Sequence, residues 1–266
     1  MRKAEVFPYY RSCSEKFNAM YEFIKTQFDD NYADELCKLR GYVSEEQYNL
    51  IHDMKLGCCS VFGSDLGSSA KELGCLTKTD DFLLNDRYII PVEDVGGNIC
   101  ALIGYYPDYK RYITTPSPFF SKECMFFNFR QAYELSWSKF NGFVIVVEGI
   151  FDCLSVRSLG LPCIACMGAS LSKSKGELLK LFKKVAGIPD NDATGRKSLN
   201  RYSRQGWKVP SNTTMIKLIG GTVELDGETL HVKDLDNLVS WYDADDVREI
   251  LLSLQSCKSE IEELIL

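Results

Sequence analysis

Histidine is nearly absent: His52 and His231 are the only two in 266 residues. A chain so poor in imidazole has little with which to build a zinc centre, and its thiols do not fill the gap. The eleven cysteines are odd in number and follow no regular framework. Cys58 and Cys59 are adjacent, with no second pair at zinc spacing. Cys163 and Cys166 form a C-x-x-C, but PCIACMG has the composition of a buried strand, whose alternation sends the two sulfurs to opposite faces. No zinc is expected, and the cysteines are read as reduced, mostly buried thiols of a reducing compartment. Also missing is any run of about eighteen apolar residues, the length a spanning helix needs, so no membrane partner is expected. The opening MRKAEVFPYYRSCSEKF shows neither the apolar core nor the small-residue cleavage site of a secretory leader, so a cytoplasmic protein is expected. Internal repeats and low-complexity segments are absent too.

An excess of positive charge is likewise lacking, since the formal net charge is −6. Its distribution is uneven, however. Residues 171–208 hold ten Lys/Arg against three acids, whereas residues 221–266 hold three against twelve. A locally basic mid-chain stretch leaves a polyanionic partner open despite the acidic total.

What is present is α/β patterning. Phe17, Tyr21, Ile24 and Phe28 recur at helical spacing in a mainly helical stretch over 12–55, and Ser44 through Gln47 reads as a capping-box start. RYIIPVED and ICALIGYY flank a Gly-Gly turn and predict a hairpin. Asn141-Gly142 closes a first, mixed α+β domain at residues 1–141. Beyond it FVIVVE, PCIACMG, KVAGIPD and TTMIKLI alternate with helical segments, which predicts a small doubly wound parallel sheet over 142–240. Gly187 and Pro189 weaken the third strand. Residues 241–266 read as an acidic helical segment.

Three acidic clusters follow the apolar runs of this second domain: Glu148 with Asp152, Asp190 with Asp192, and Asp234 with Asp236. Taken singly, each has a plain explanation. Glu148 would serve as a helix N-terminal charge, Asp190 and Asp192 as turn or cap residues, and Asp234 and Asp236 as surface loop residues. Taken together, a parallel sheet delivers all three to one edge. Carboxylates at that density repel unless cations neutralise them, and all-oxygen donors suit Mg²⁺ or Mn²⁺, the metals of phosphoryl transfer. After Asp192, Lys197, Arg201 and Arg204 share a helical face that would track a phosphate backbone or simply be solvated. Tyr105, Tyr106, Tyr109 and Tyr112 interleave with Lys110 and Arg111, offering either base stacking or sheet packing.

The order E-G-x-x-D (148–152), D-x-D-x-x-G-R (190–196) and K-D-x-D (233–236) resembles the Toprim domain. Upstream, YADELCKLRGYVSEEQYNLIHDMKLG, RYIIPVEDVGGNICALIG and KRYITTPSPFFSKECMFF are similar to the N-terminal half of the DnaG-type primase core, so the resemblance runs from about residue 30 to 240. It implies a Toprim-type α/β fold and an RNA-primer synthase on single-stranded DNA, fed by ribonucleoside triphosphates, in a bacterial or phage-infected cell. It further implies two or more Mg²⁺ or Mn²⁺ ions on Glu148, Asp190 and Asp192, with Asp152, Asp234 and Asp236 as accessory acids. Gly149 and Gly168 would permit close backbone approach. Lys110, Arg111, Lys122, Arg196 and Lys197 would meet template or nucleotide. The family's zinc-binding and helicase-binding domains have no counterpart in the sequence, and IGYYPD stands where the family shows Gly-Gly-Arg. A minimal core is therefore expected, phage- or plasmid-encoded or part of something longer, with a replicative helicase or a zinc-module protein acting in trans. A Toprim nuclease and a non-catalytic single-strand-binding subunit are the alternatives.

Overall fold

The computed structural model describes residues 3–28, 30–42, 44–109, 111–168, 171–192, 210–219, 221–225, 228–256 and 261–265. They fall into two compact units, Met1–Tyr42 with Tyr48–Phe120, and Val43–Gln47 with Ser121–Leu266.

The first unit sets helices against an antiparallel sheet. Helices α1 (Lys3–Lys25), α2 (Asp30–Arg40) and α4 (Gly67–Glu72) belong to it, as does most of α3 (Glu45–Asp53). The sheet runs β1 (Cys58–Cys59), β2 (Arg87–Glu93), β3 (Ile99–Tyr106), β4 (Arg111–Thr114) in that order. Phe17, Met20 and Ile24, one stripe of α1, are buried in a cluster with Phe82, Ile89 and Leu102. The β2–β3 hairpin forms where the Gly-Gly pair predicts it. Asp94 Oδ1 accepts from the Gly96 and Asn98 backbone N–H groups at 2.8 and 2.9 Å, and Gly97 takes a φ of 81°.

In the second unit five parallel strands run in the order β11 (Ile261–Ile265), β8 (Thr213–Ile219), β7 (Lys184–Ile188), β5 (Phe143–Val147), β6 (Cys163–Ala165). Every residue of β5 is buried, as a sheet covered on both faces requires. Cys163 lies beside Cys153, while Cys166 joins Phe126, Phe129, Leu179 and Val185 in a separate cluster, the alternation expected of this strand. Gly187 weakens β7 less than its propensity suggests. It pairs with Met215 of β8, and a Cβ there would stand 2.8 Å from the Met215 sulfur, so the missing side chain makes room for a neighbour. Pro189 falls one residue beyond the strand, where its lost donor is harmless.

Helices α5 (Phe129–Lys139), α6 (Ile150–Ser158), α7 (Lys173–Leu179), α8 (Leu235–Trp241) and α9 (Ala244–Ser253) accompany the sheet, with a small hairpin of β9 (Thr222–Leu225) and β10 (Glu228–His231). The acidic C-terminal stretch is helical only in its first half. Residues 261–265 form the edge strand β11, which pairs in parallel with β8. Among the described residues no helix is long and apolar enough to cross a membrane.

Candidate metal centre

The site begins with strand register. In the β5–β7 ladder Val147 stands opposite Ile188, so Glu148 and Asp190 emerge from the carboxyl ends of neighbouring parallel strands. Gly149 then caps α6, and Asp152 occupies its first turn. Asp234 caps α8 by accepting from the Asn237 N–H at 2.9 Å, which puts Asp236 in that helix's first turn. Helices α6 and α8 pack on each other. The Asp236 backbone N–H donates to Asp152 Oδ1 at 3.1 Å.

The carboxylates feel one another. Burial is the largest cause raising the Asp152 carboxyl, and Asp234, Asp236 and Asp190 add to it. Burial first, then Glu148 and Asp234, pushes Asp190 up to about 7. Burial also raises Glu148, opposed by the Asp190 backbone N–H and by Lys233. Lys233 was legible in the K-D-x-D motif but carries no role there. Its ammonium lies 3.9 Å from Oδ2 of both Asp190 and Asp192, and its carbonyl accepts the Asn191 N–H at 2.6 Å.

The fold thus gathers Glu148, Asp152, Asp190, Asp192, Asp234 and Asp236 in the second unit. Asp236 is no surface loop residue: it is 3% exposed, inside a helix. Among the described residues, no three His, Cys, Asp or Glu side chains are drawn tightly enough to cage a metal outright. Three features nonetheless suit a hard cation. The donors are all oxygen, burial and then their mutual repulsion raise the proton affinity of Glu148 and Asp190, and Glu148 Oε1 is buried with no hydrogen-bond partner among the described residues.

The basic residues are placed less completely. Arg111 opens β4 in the first unit and Lys122 is in the second, both exposed. Lys110, Arg196 and Lys197, with Arg201 and Arg204, lie outside the described residues. Of the tyrosines, Tyr105 is buried against Tyr112, while Tyr109 is 78% exposed and stacked on Tyr106 at 5.3 Å.

One buried polar group escaped the sequence reading. Ser44 caps α3 as predicted, its Oγ accepting from the Gln47 N–H at 3.1 Å. The Gln47 side chain does not reach back to complete the capping box. It turns inward to Ser155 and Ser240 at 2.9 and 3.2 Å. Ser-x-x-Gln spacing signals a cap and carries no sign of such long-range bonds.

The Toprim-like family matches residues 145–218, the stretch from β5 through most of β8. A DNA primase of Thermotoga maritima is 34% identical over 201 residues, 68% of this chain and 35% of that protein. The chain therefore spans about a third of the length of this curated relative. In three dimensions it is similar to the crystal structure of Aquifex aeolicus primase (zinc-binding and RNA polymerase domains). There the TM-score is 0.68 and the identity 24%, over 91% of this chain and 61% of that one. It is also similar to a DnaG primase catalytic domain solved with single-stranded DNA, with TM-score 0.65 and 17% identity, over 91% of this chain and 79% of that one. The expected mixed α/β architecture is the one these structures share. The chain carries a Toprim domain and is a homologue of DnaG-type primases, folded like their catalytic core and corresponding to part of the full primase.

Proposed function

We propose that this chain is a primase core that synthesises short RNA primers on single-stranded DNA by metal-dependent nucleotidyl transfer. The observation that carries the reading is the gathering of six carboxylates beside one sheet edge in a homologue of DNA primases. Glu148, Asp190 and Asp192 would hold two or more Mg²⁺ or Mn²⁺ ions, with Asp152, Asp234 and Asp236 as accessory acids. Such ions supply neutralisation of triphosphate charge and acidification of the primer 3′-hydroxyl. The chain's own part is to hold the carboxylates in place. Asp190, pushed up to about 7 by burial first and then by Glu148 and Asp234, would give up its proton on holding a cation. Arg111 and Lys122, with Lys110, Arg196 and Lys197, would bind template and ribonucleoside triphosphate. Likeness to a DnaG domain solved with single-stranded DNA supports that template class. A replicative helicase or a zinc-module protein would act in trans, in the cytoplasm.

The test is primer synthesis on mixed-sequence single-stranded DNA with labelled ribonucleotides and Mg²⁺ or Mn²⁺, wild type beside Asp190→Ala/Asp192→Ala. Short products from wild type alone are expected. No product, even with helicase and a zinc-module protein added, overturns the proposal, and template cleavage in the same gel would favour a nuclease.

A further inference from the structure

The buried polar chain that starts at Gln47 has a direction. Gln47, Ser155, Ser240 and Asp236 are each 3% exposed or less. Ser155 Oγ donates to Asp236 Oδ1, and Ser240 Oγ donates to the Asp236 carbonyl at 2.7 Å. Each hydroxyl has one hydrogen, so both hydrogens are spent on Asp236 and both oxygens are left to accept. Gln47 Nε2 faces both oxygens, at 2.9 and 3.2 Å, and its two hydrogens serve one each. The opposite amide orientation would set Oε1 against two hydroxyls with no hydrogen to give. The cost of the observed orientation is a Gln47 Oε1 buried without a partner among the described residues. A primary amide is thus used for its two donors, and its acceptor is sacrificed.

We infer that Gln47 is a positioning residue of the acidic site. Through two serine hydroxyls it fixes Asp236, whose own backbone N–H holds Asp152 Oδ1 at 3.1 Å. One hydroxyl donating to the Asp236 carboxylate and one to its backbone carbonyl hold both the side chain and the helix turn that carries it, which is what an accessory acid beside repelling neighbours requires. The inference rests on the primase reading for what the acids do, and on geometry alone for how Gln47 holds them. Glutamate in its place adds charge and loses the donors. Methionine keeps the approximate shape and removes them.

The experiment titrates Mn²⁺ against the full chain by calorimetry, and separately measures kcat and the nucleotide KM of primer synthesis. Variants are Gln47→Met, Ser155→Ala and the double substitution. Loss of an outer-shell partner weakens metal binding by roughly 10- to 100-fold. Each single variant is expected to lose Mn²⁺ affinity in that range and to lower kcat with little change in nucleotide KM. The double variant is expected to lose less than the sum of the two singles, because both cuts share the Gln47–Ser155–Asp236 branch. Mn²⁺ affinity within twofold of wild type in Ser155→Ala, which changes one atom and guards against misfolding of Gln47→Met, would overturn the proposal. Additive losses in the double variant would overturn it too. A wild type that binds Mn²⁺ but makes no primers defeats the polymerase reading and leaves the Gln47 test standing.

Discussion

Lys233 holds its ammonium 3.9 Å from Oδ2 of Asp190 and the same distance from Asp192, a cation of the chain's own beside mutually repelling acids. Half-exposed and loosely placed, it screens their charge without forming a tight pair. A divalent ion held as proposed would share this space with it. Lys233→Met should therefore lower the melting temperature of the metal-free protein at pH 7.5 and enlarge the upshift produced by Mn²⁺. Differential scanning fluorimetry with and without Mn²⁺ reads both, and an unchanged upshift would remove Lys233 from the site.

Asp190 gives the metal-free protein a pH dependence whose sign is fixed. Burial first, then Glu148 and Asp234, pushes its carboxyl from 3.8 up to about 7. Between those values the folded state holds a proton that the unfolded chain has released, so unfolding becomes easier as pH rises through that window. Above about 7 the contribution is flat. Wild type without metal should melt higher at pH 5 than at pH 7.5, and Asp190→Asn should show a smaller difference. Equal pH slopes in the two proteins would count against this account.

The same repulsion separates stability from activity. Glu148→Gln and Asp190→Asn each remove one charge from a crowded site, so neither should lower the metal-free melting temperature at pH 7.5, and Asp190→Asn should raise it. Primer synthesis should nevertheless fall by about two orders of magnitude or more, the scale seen when one preorganised electrostatic group is lost. A variant that melts lower and works normally would refute both halves.

How far the sequence carried depended on whether the physics was local. The continuous apolar run of β5, the Gly-Gly hairpin and the helical stripe of Phe17 and Ile24 are written in short-range periodicity, and the structure has all three. The convergence of the acids was legible for a similar reason, because parallel strands present their ends to one side. Longer-range facts were not. Gly187 looked like a flaw in its strand until Met215 supplied the reason. The Gln47 bond to Ser240 joins residues 193 apart, and no spacing rule reaches that far. IEELI shares the acidic composition of the helical stretch before it, and nothing in five residues announces a vacant edge on β8.

Gly149 supplies the sharpest separation of backbone from side-chain demands. Its φ of −96° and ψ of 154° suit any residue, so conformation does not require glycine here. Space does: a Cβ at this position would lie 2.3 Å from Asp152 Oδ2. Asp152 is buried and held by the Asp236 N–H, so it has little freedom to retreat. Gly149→Ala should cost about 1–3 kcal/mol, the usual scale of overpacking, or roughly 2–12 °C at ~2–4 °C per kcal/mol. It should also reduce primer synthesis by displacing Asp152. The control is Asp152→Ala, in which the obstructing oxygen is gone. Adding Gly149→Ala to that background should change the melting temperature by no more than about 1–2 °C, within the spread of uncoupled sites. Thermal melts of the four proteins in the cycle decide it. An equal cost in both backgrounds would mean that the alanine methyl clashes with something other than Asp152, and that Gly149 is not shaped by the acidic site.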